Sequence, residues 1–162
     1  MQMKFMKHAF LPVGLVFAIC AMASVCVAKD RTAENCTANR GIKPDIRIAA
    51  CTRVLRETGA FGEFGDAAAL SNRASAYAQK GAYNLALRDL DDAVRLVEIM
   101  GNKINEDPFG RMIAAGIFGN RGLLNLAINR QSEAAADFKQ ALLIEPSVQN
   151  YKEVLRRLDD SE

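Results

Sequence analysis

The amino-acid sequence predicts an all-α fold of helical hairpins, on three observations. Ala67 to Glu98 (AAALSNRASAYAQKGAYNLALRDLDDAVRLVE) carries two amphipathic stripes divided by a glycine turn. The same order of large, small and charged residues returns 48 positions later. The chain then closes on a stretch, Ser147 to Asp159, that is apolar on one helical face and charged on the other.

Residues 1–28 read as an export signal. Lys4 and Lys7 precede a charge-free run from Ala9 to Val27, and Cys26-Val27-Ala28 stands before the charged Lys29-Asp30-Arg31. A basic start, an apolar core and small residues at the end place the cut after Ala28, or after Ala23. An uncleaved membrane anchor is the competing reading, because the run lies near the lower length limit for spanning a bilayer. Cys20 and Cys26 follow Ile19 and Val25 rather than the small residue that lipid attachment expects. Export leaves residues 29–162 as one domain, periplasmic or secreted, with no stable membrane insertion.

The signal contains two of the 21 Lys and Arg residues and none of the 19 Asp and Glu, so the remainder is balanced at 19 against 19. Without a large positive field, nucleic acid and anionic membrane are poor partners. His8, the single histidine, also leaves with the signal. That removes the commonest general base and the commonest metal ligand. No phosphate loop, nucleophile elbow, metal cluster or dinucleotide turn stands in the sequence. The expectation is therefore a non-enzyme with no catalytic residue, no metal and no cofactor.

Cys36 and Cys51 survive cleavage. An even pair in an exported chain is expected to form a disulfide, and its spacing matches no redox or zinc motif. Lys43-Pro44-Asp45 then opens a leading helix, residues 45–58, with Asp45 as its cap and Ile46, Ile48, Ala49, Cys51, Thr52, Val54 and Leu55 as its apolar face; Thr58-Gly59 stops it. Ala60 to Gly65 reads as a connector over Phe61 and Phe64.

In the hairpin itself, Leu70, Ala74, Tyr77 and Ala78 recur at helical spacing, and Lys80-Gly81 ends the first helix. Leu87, Leu90, Val94 and Val97 form the second stripe, and so short a turn requires antiparallel helices. Shifting by 48 lays Asn72-Arg73-Ala74 on Asn120-Arg121-Gly122, Ala86 on Ala134, Asp89-Leu90 on Asp137-Phe138, and Ala93-Val94 on Ala141-Leu142. Asp89, Asp91 and Asp92 read as a solvated face, and Arg73 and Arg121 as alkyl stems laid over the core.

These residues resemble the tetratricopeptide family, whose 34-residue unit sets small residues where two helices cross and large ones between them. One copy spans 67–98, with Leu70, Ala74, Tyr77, Gly81, Tyr83, Ala86 and Ala93 at the family positions. A second spans 115–146, with Phe118, Gly122, Ala134, Phe138, Ala141 and Pro146. The second departs from the pattern at Asn125, Asn129 and Gln131, and both copies carry arginine at position seven. DIRIAACTRVL, Asp45 to Leu55, with a cysteine upstream, resembles the leading segment of small exported tetratricopeptide proteins of Gram-negative bacteria.

The resemblance implies a short solenoid. A disulfide-stapled half-unit would lead it, and a helix over 147–159, capped by Ser147, would close it with Val148, Tyr151, Val154, Leu155 and Leu158 inward. The spacing exceeds the family unit by fourteen residues. Asp107-Pro108 therefore predicts one long helix from Pro108 to Ala127. A kink is the competing reading, since Gly110, Gly116, Gly119 and Gly122 each cost about 1 kcal/mol in a helix.

By the same resemblance the chain holds a peptide or protein partner in a concave groove. Its candidate lining is Ser71, Asn72, Ser75, Gln79, Asn120, Leu123 and Leu126, and the hold is expected to use hydrogen bonds and apolar contact rather than charge. The alternative is a structural accessory that assembles with itself or an envelope complex through its outer face.

Overall fold

The computed structural model describes residues 31–37, 41–57 and 62–160. The expected signal, its cut and Phe61 lie outside them. The helices that carry the core lie within one compact unit, Thr32–Glu162. The described residues are helical and contain no strand. None of their helices is long and apolar enough to cross a membrane.

Residues 31–37 form α1, and α2 is Pro44–Arg56. Cys36 and Cys51 are bonded across them, with Cα atoms 4.8 Å apart. Both are buried with Ala50, Val54 and Ala69 in a small cluster of their own. Closing a loop of this length stabilises the fold by about 3 kcal/mol in the chain-entropy model. The expected Asp45 cap is not made. Pro44 takes the first turn, where a missing N–H costs nothing, and Asp45 instead pairs with Lys80 at the far end of the next helix.

That helix, α3 (Gly62–Gln79), begins five residues before Ala67, so most of the expected connector is helical. Phe64 packs inward from its first turn. Gly81 adopts φ 73°, and the Ala82 N–H donates to the Tyr77 carbonyl at 2.9 Å, turning the chain into α4 (Tyr83–Met100). Gly101, at φ 49°, ends α4, and a single helical turn follows, α5 (Asn102–Glu106), with Ile104 buried in the core.

The long helix is present and unbroken as α6 (Pro108–Ala127), with the Asp107 carboxylate accepting from the Phe109 N–H at 3.0 Å. Three of its glycines make room for aromatic rings. A Cβ would lie 2.7 Å from the Phe64 ring at Gly110, 1.9 Å from the Tyr151 hydroxyl at Gly119, and 2.8 Å from the Phe138 ring at Gly122. Packing of those rings against bare backbone offsets the helix-propensity cost that made a kink the alternative.

Asn129, at φ 61°, turns the chain into α7 (Gln131–Ile144). The last helix, α8 (Asn150–Asp159), starts three residues later than expected. Pro146 and Ser147 form a turn, closed by Gln149 donating to the Pro146 carbonyl at 2.7 Å, and no side chain caps the helix. Its inward stripe is as predicted: Tyr151 is buried and stacked on Phe138 at 5.2 Å, while Val148, Val154, Leu155 and Leu158 pack against the same core.

The helices pair in sequence. α3 packs on α4 and α6 on α7; α2 lies against α3, α6 meets both α3 and α4, and α8 covers α7.

Candidate functional site

Two arginine–aspartate pairs set the frame of the site. Arg73 and Asp89 stand eight residues on either side of Gly81, and Arg121 and Asp137 eight on either side of Asn129. The Arg73 guanidinium donates to both Asp89 carboxylate oxygens, at 2.7 and 2.8 Å, and its third nitrogen reaches the Thr52 hydroxyl at 3.1 Å. Arg121 grips Asp137 in the same way, at 2.7 and 3.1 Å, and extends to Asp91 of α4 at 3.1 Å. Each arginine thus ties its own hairpin together and ties it to an earlier helix, α2 for Arg73 and α4 for Arg121.

Of the three aspartates expected on a solvated face, Asp89 is buried, whereas Asp91 and Asp92 are about half exposed. Asp89 is 5% exposed and Asp137 4%, and Asp91 is spent on Arg121; Asp92, paired with Arg95, stays on the surface. The hydrogen bond to Asp89 holds Arg73 above the ordinary arginine pKa, against the opposing effect of burial. At Arg121 burial is the largest effect and lowers the pKa, yet the bonds and charges of Asp137 and Asp91 together raise it. With both arginines saturated by carboxylates, neither offers a free charge to a ligand.

α3 and α6 enclose an open cleft of about 360 Å³, whose lining includes none of Arg73, Asp89, Arg121 and Asp137. It gathers Ser75, Gln79, Asn120 and Leu123 from the expected groove, together with Ala74, Ala78, Tyr83, Leu90, Leu124 and Ala127. Ser71 lies beneath it, buried, and accepts from the Asn120 amide at 2.9 Å, a bond that locks α6 to α3. Asn120 keeps its carbonyl oxygen and one N–H for other partners. Asn72 is half-buried outside the lining, and Leu126 packs into the main core.

Tyr83, 41% exposed, is the wall that the expected groove lacks. Its place as the first residue of α4, straight after the turn, is the signal that could have found it. No charged side chain lines the cleft.

A second depression lies elsewhere, between α4–α5 and α6–α7. It measures about 610 Å³ and is lined by apolar Val97, Ile104, Phe118 and Ile144 together with polar Glu98, Arg121, Asp137 and Gln140. Among the described residues no group of three or more His, Cys, Asp or Glu side chains is placed to hold a metal. Comparison with known proteins finds no family model and no curated protein that matches this chain.

Proposed function

We propose that this chain is an exported tetratricopeptide-like interaction module, without catalysis of its own, that holds a segment of a protein or peptide partner in the cleft between α3 and α6. The observation that carries this reading is the composition of the cleft. An apolar floor of Leu90, Leu124 and Ala74 lies beside the open amides of Gln79 and Asn120, with Tyr83 and Leu123 as exposed walls and no charge anywhere on the lining. Such a surface suits an uncharged stretch of chain, whose backbone amides need partners and whose side chains need apolar contact.

The family likeness draws support from the echo of α3–α4 in α6–α7, and the periplasmic or secreted location from the Cys36–Cys51 bond, which persists in oxidising compartments.

A photo-crosslinking residue at Gln79 tests the reading, with mass spectrometry to identify what is captured and a titration of that partner afterwards. Tyr83→Ser is expected to weaken binding roughly tenfold, the effect of about 1.4 kcal/mol, and affinity is expected to change little between low and physiological salt. A partner indifferent to Tyr83→Ser, or one lost on adding salt, defeats it. The second reading, an accessory that assembles through its outer face, is favoured by the 610 Å³ depression and by the well-exposed Ile99 and Leu143 of α4 and α7. Capture from Leu143 rather than Gln79 would select it.

A further inference from the structure

Two helix pairs of the fold each close on one small and one large buried residue. In α3–α4 these are Ala74 and Leu90, in α6–α7 Gly122 and Phe138, and in both the two residues stand sixteen apart. The pair α1–α2 has Cys36 and Cys51 at the corresponding place, fifteen apart. Their neighbours fix the correspondence. Thr52, directly after Cys51, receives the third nitrogen of Arg73, as Asp91, directly after Leu90, receives that of Arg121. Val54 stands three residues after Cys51, where Ala93 and Ala141 follow Leu90 and Phe138, and all three are buried. Asn35 precedes Cys36 and Ala50 precedes Cys51, in the places that the clasp arginines and aspartates hold in the other two pairs.

With Asn35 and Ala50 in those places α1–α2 can form no clasp, and neither cysteine is a large side chain. Its core is Cys36, Ala50, Cys51, Val54 and, from α3, Ala69, a cluster separate from the main one. The bond thus does the closing that a clasp and a packed pair do elsewhere. Little else ties α2 down. The Asp45–Lys80 pair is exposed, and Arg73 keeps both of its bonds to Asp89 when Thr52 leaves, so the clasp of α3–α4 survives the loss of α2.

We infer that α1–α2 is a redox latch: oxidised, it stays closed over α3, and reduced, it opens while α3–α8 remains folded. A dithiol opens it by giving two electrons and two protons to the Cys36–Cys51 bond, which becomes two thiols while the dithiol becomes a disulfide. Both cysteines are buried, so attack follows a transient parting of α1 from α2 and the latch responds slowly. The cleft between α3 and α6 takes none of its lining from α1 or α2, and the latch is therefore independent of what that cleft holds.

Hydrogen exchange on the full chain, before and after treatment with dithiothreitol, tests the latch. Reduction is expected to speed exchange of the α2 amides from Ala50 to Arg56 about 100-fold, the effect of releasing a closed loop of this length. Amides of α4 around Leu90 and of α7 around Phe138 should stay as they were. The Cys36→Ser, Cys51→Ser double variant should match the reduced parent without dithiothreitol, which assigns the effect to this bond rather than to Cys20 or Cys26.

A second double variant, Cys36→Ala with Cys51→Leu, gives the first helix pair the Ala74–Leu90 combination of the second. It is expected to exchange about tenfold more slowly in α2 than the serine variant, through the added apolar burial, and to ignore dithiothreitol. An α2 that stays protected after reduction overturns the inference, and so does loosening that spreads to α4 and α7. An alanine–leucine variant that exchanges as fast as the serine variant also overturns it, because the bond would then not stand in place of a packed pair.

Discussion

The hairpin α3–α4 closes on Ala74 and Leu90, and the hairpin α6–α7 closes on Gly122 and Phe138; all four are buried. Moving from the first to the second, one position loses a methyl group and its partner gains a ring. Gly81 makes the first turn at φ 73° and Asn129 the second at φ 61°, and the same bond closes both, from Ala82 to Tyr77 at 2.9 Å and from Arg130 to Asn125 at 2.8 Å. What repeats is therefore the pair and its combined volume rather than the residue. The arginine–aspartate clasps repeat outright, but they lean on different neighbours: Arg73 on the Thr52 hydroxyl, Arg121 on the Asp91 carboxylate.

That last difference makes the largest prediction. Taking the carboxylate from a buried clasp strands a guanidinium, at a cost of about 3 kcal/mol or more. Asp89→Asn leaves Arg73 with only a hydroxyl, whereas Asp137→Asn leaves Arg121 its bond to Asp91. Asp89→Asn is therefore expected to lose about 3 kcal/mol in urea unfolding, and Asp137→Asn about 1 kcal/mol less. The ranking should disappear in an Asp91→Asn background. Equal losses in the parent chain would show that the two clasps are interchangeable and that Asp91 contributes nothing.

The volume exchange predicts a change of sign. Helix propensity alone favours Gly122→Ala by about 1 kcal/mol, but the new methyl overlaps the Phe138 ring, held from behind by Tyr151. Overpacking of this kind costs about 1–3 kcal/mol. Gly122→Ala is expected to destabilise the parent and to stabilise a Phe138→Leu variant, which recreates the Ala74–Leu90 pairing of the first hairpin. A thermal-melt cycle over the four proteins reads the coupling directly. Additive effects would mean that the ring has room to move, and the exchange would not be compensatory.

The same contrast explains what was legible in the sequence. Helix identity, the hairpin turns, the long α6 and the inward face of α8 all follow from periodicity and turn residues, which are local signals. The disulfide follows from parity and compartment. The clasps were hidden because the 48-residue register aligns Arg73 with Arg121 and Asp89 with Asp137, yet does not say that the arginine and the aspartate of one unit face each other. Three-dimensional pairing across sixteen residues is not a local property. The cleft was read in part. Ser75, Gln79, Asn120 and Leu123 come together in it, but Leu126 turns to the core, and Tyr83 enters from the neighbouring helix because α4 begins immediately after the turn. The caps misled for a simpler reason: Asp45 and Ser147 are good capping residues, but a proline start and a proline turn already settle the two helix ends.

The smallest effect concerns the two turns. Asn129 is the sole non-glycine with positive φ among the described residues, and asparagine tolerates the left-handed region better than most side chains. Alanine at such a position costs roughly 1 kcal/mol or more, and glycine nothing. Asn129→Gly should therefore leave stability unchanged or raise it by less than about 1 kcal/mol, and Asn129→Ala should lower it by about 1 kcal/mol. At the first turn, Gly81→Asn is expected to cost a few tenths of a kcal/mol and Gly81→Ala about 1 kcal/mol. The measurement is chemical denaturation of the four variants at constant m-value, so that a change in midpoint reports the native turn rather than a more compact unfolded chain. If Asn129→Ala and Asn129→Gly proved equal, the second turn would not hold its left-handed residue in solution. The Arg130-to-Asn125 bond would then be lost, and with it the equivalence of the two hairpins at the point where each reverses the chain.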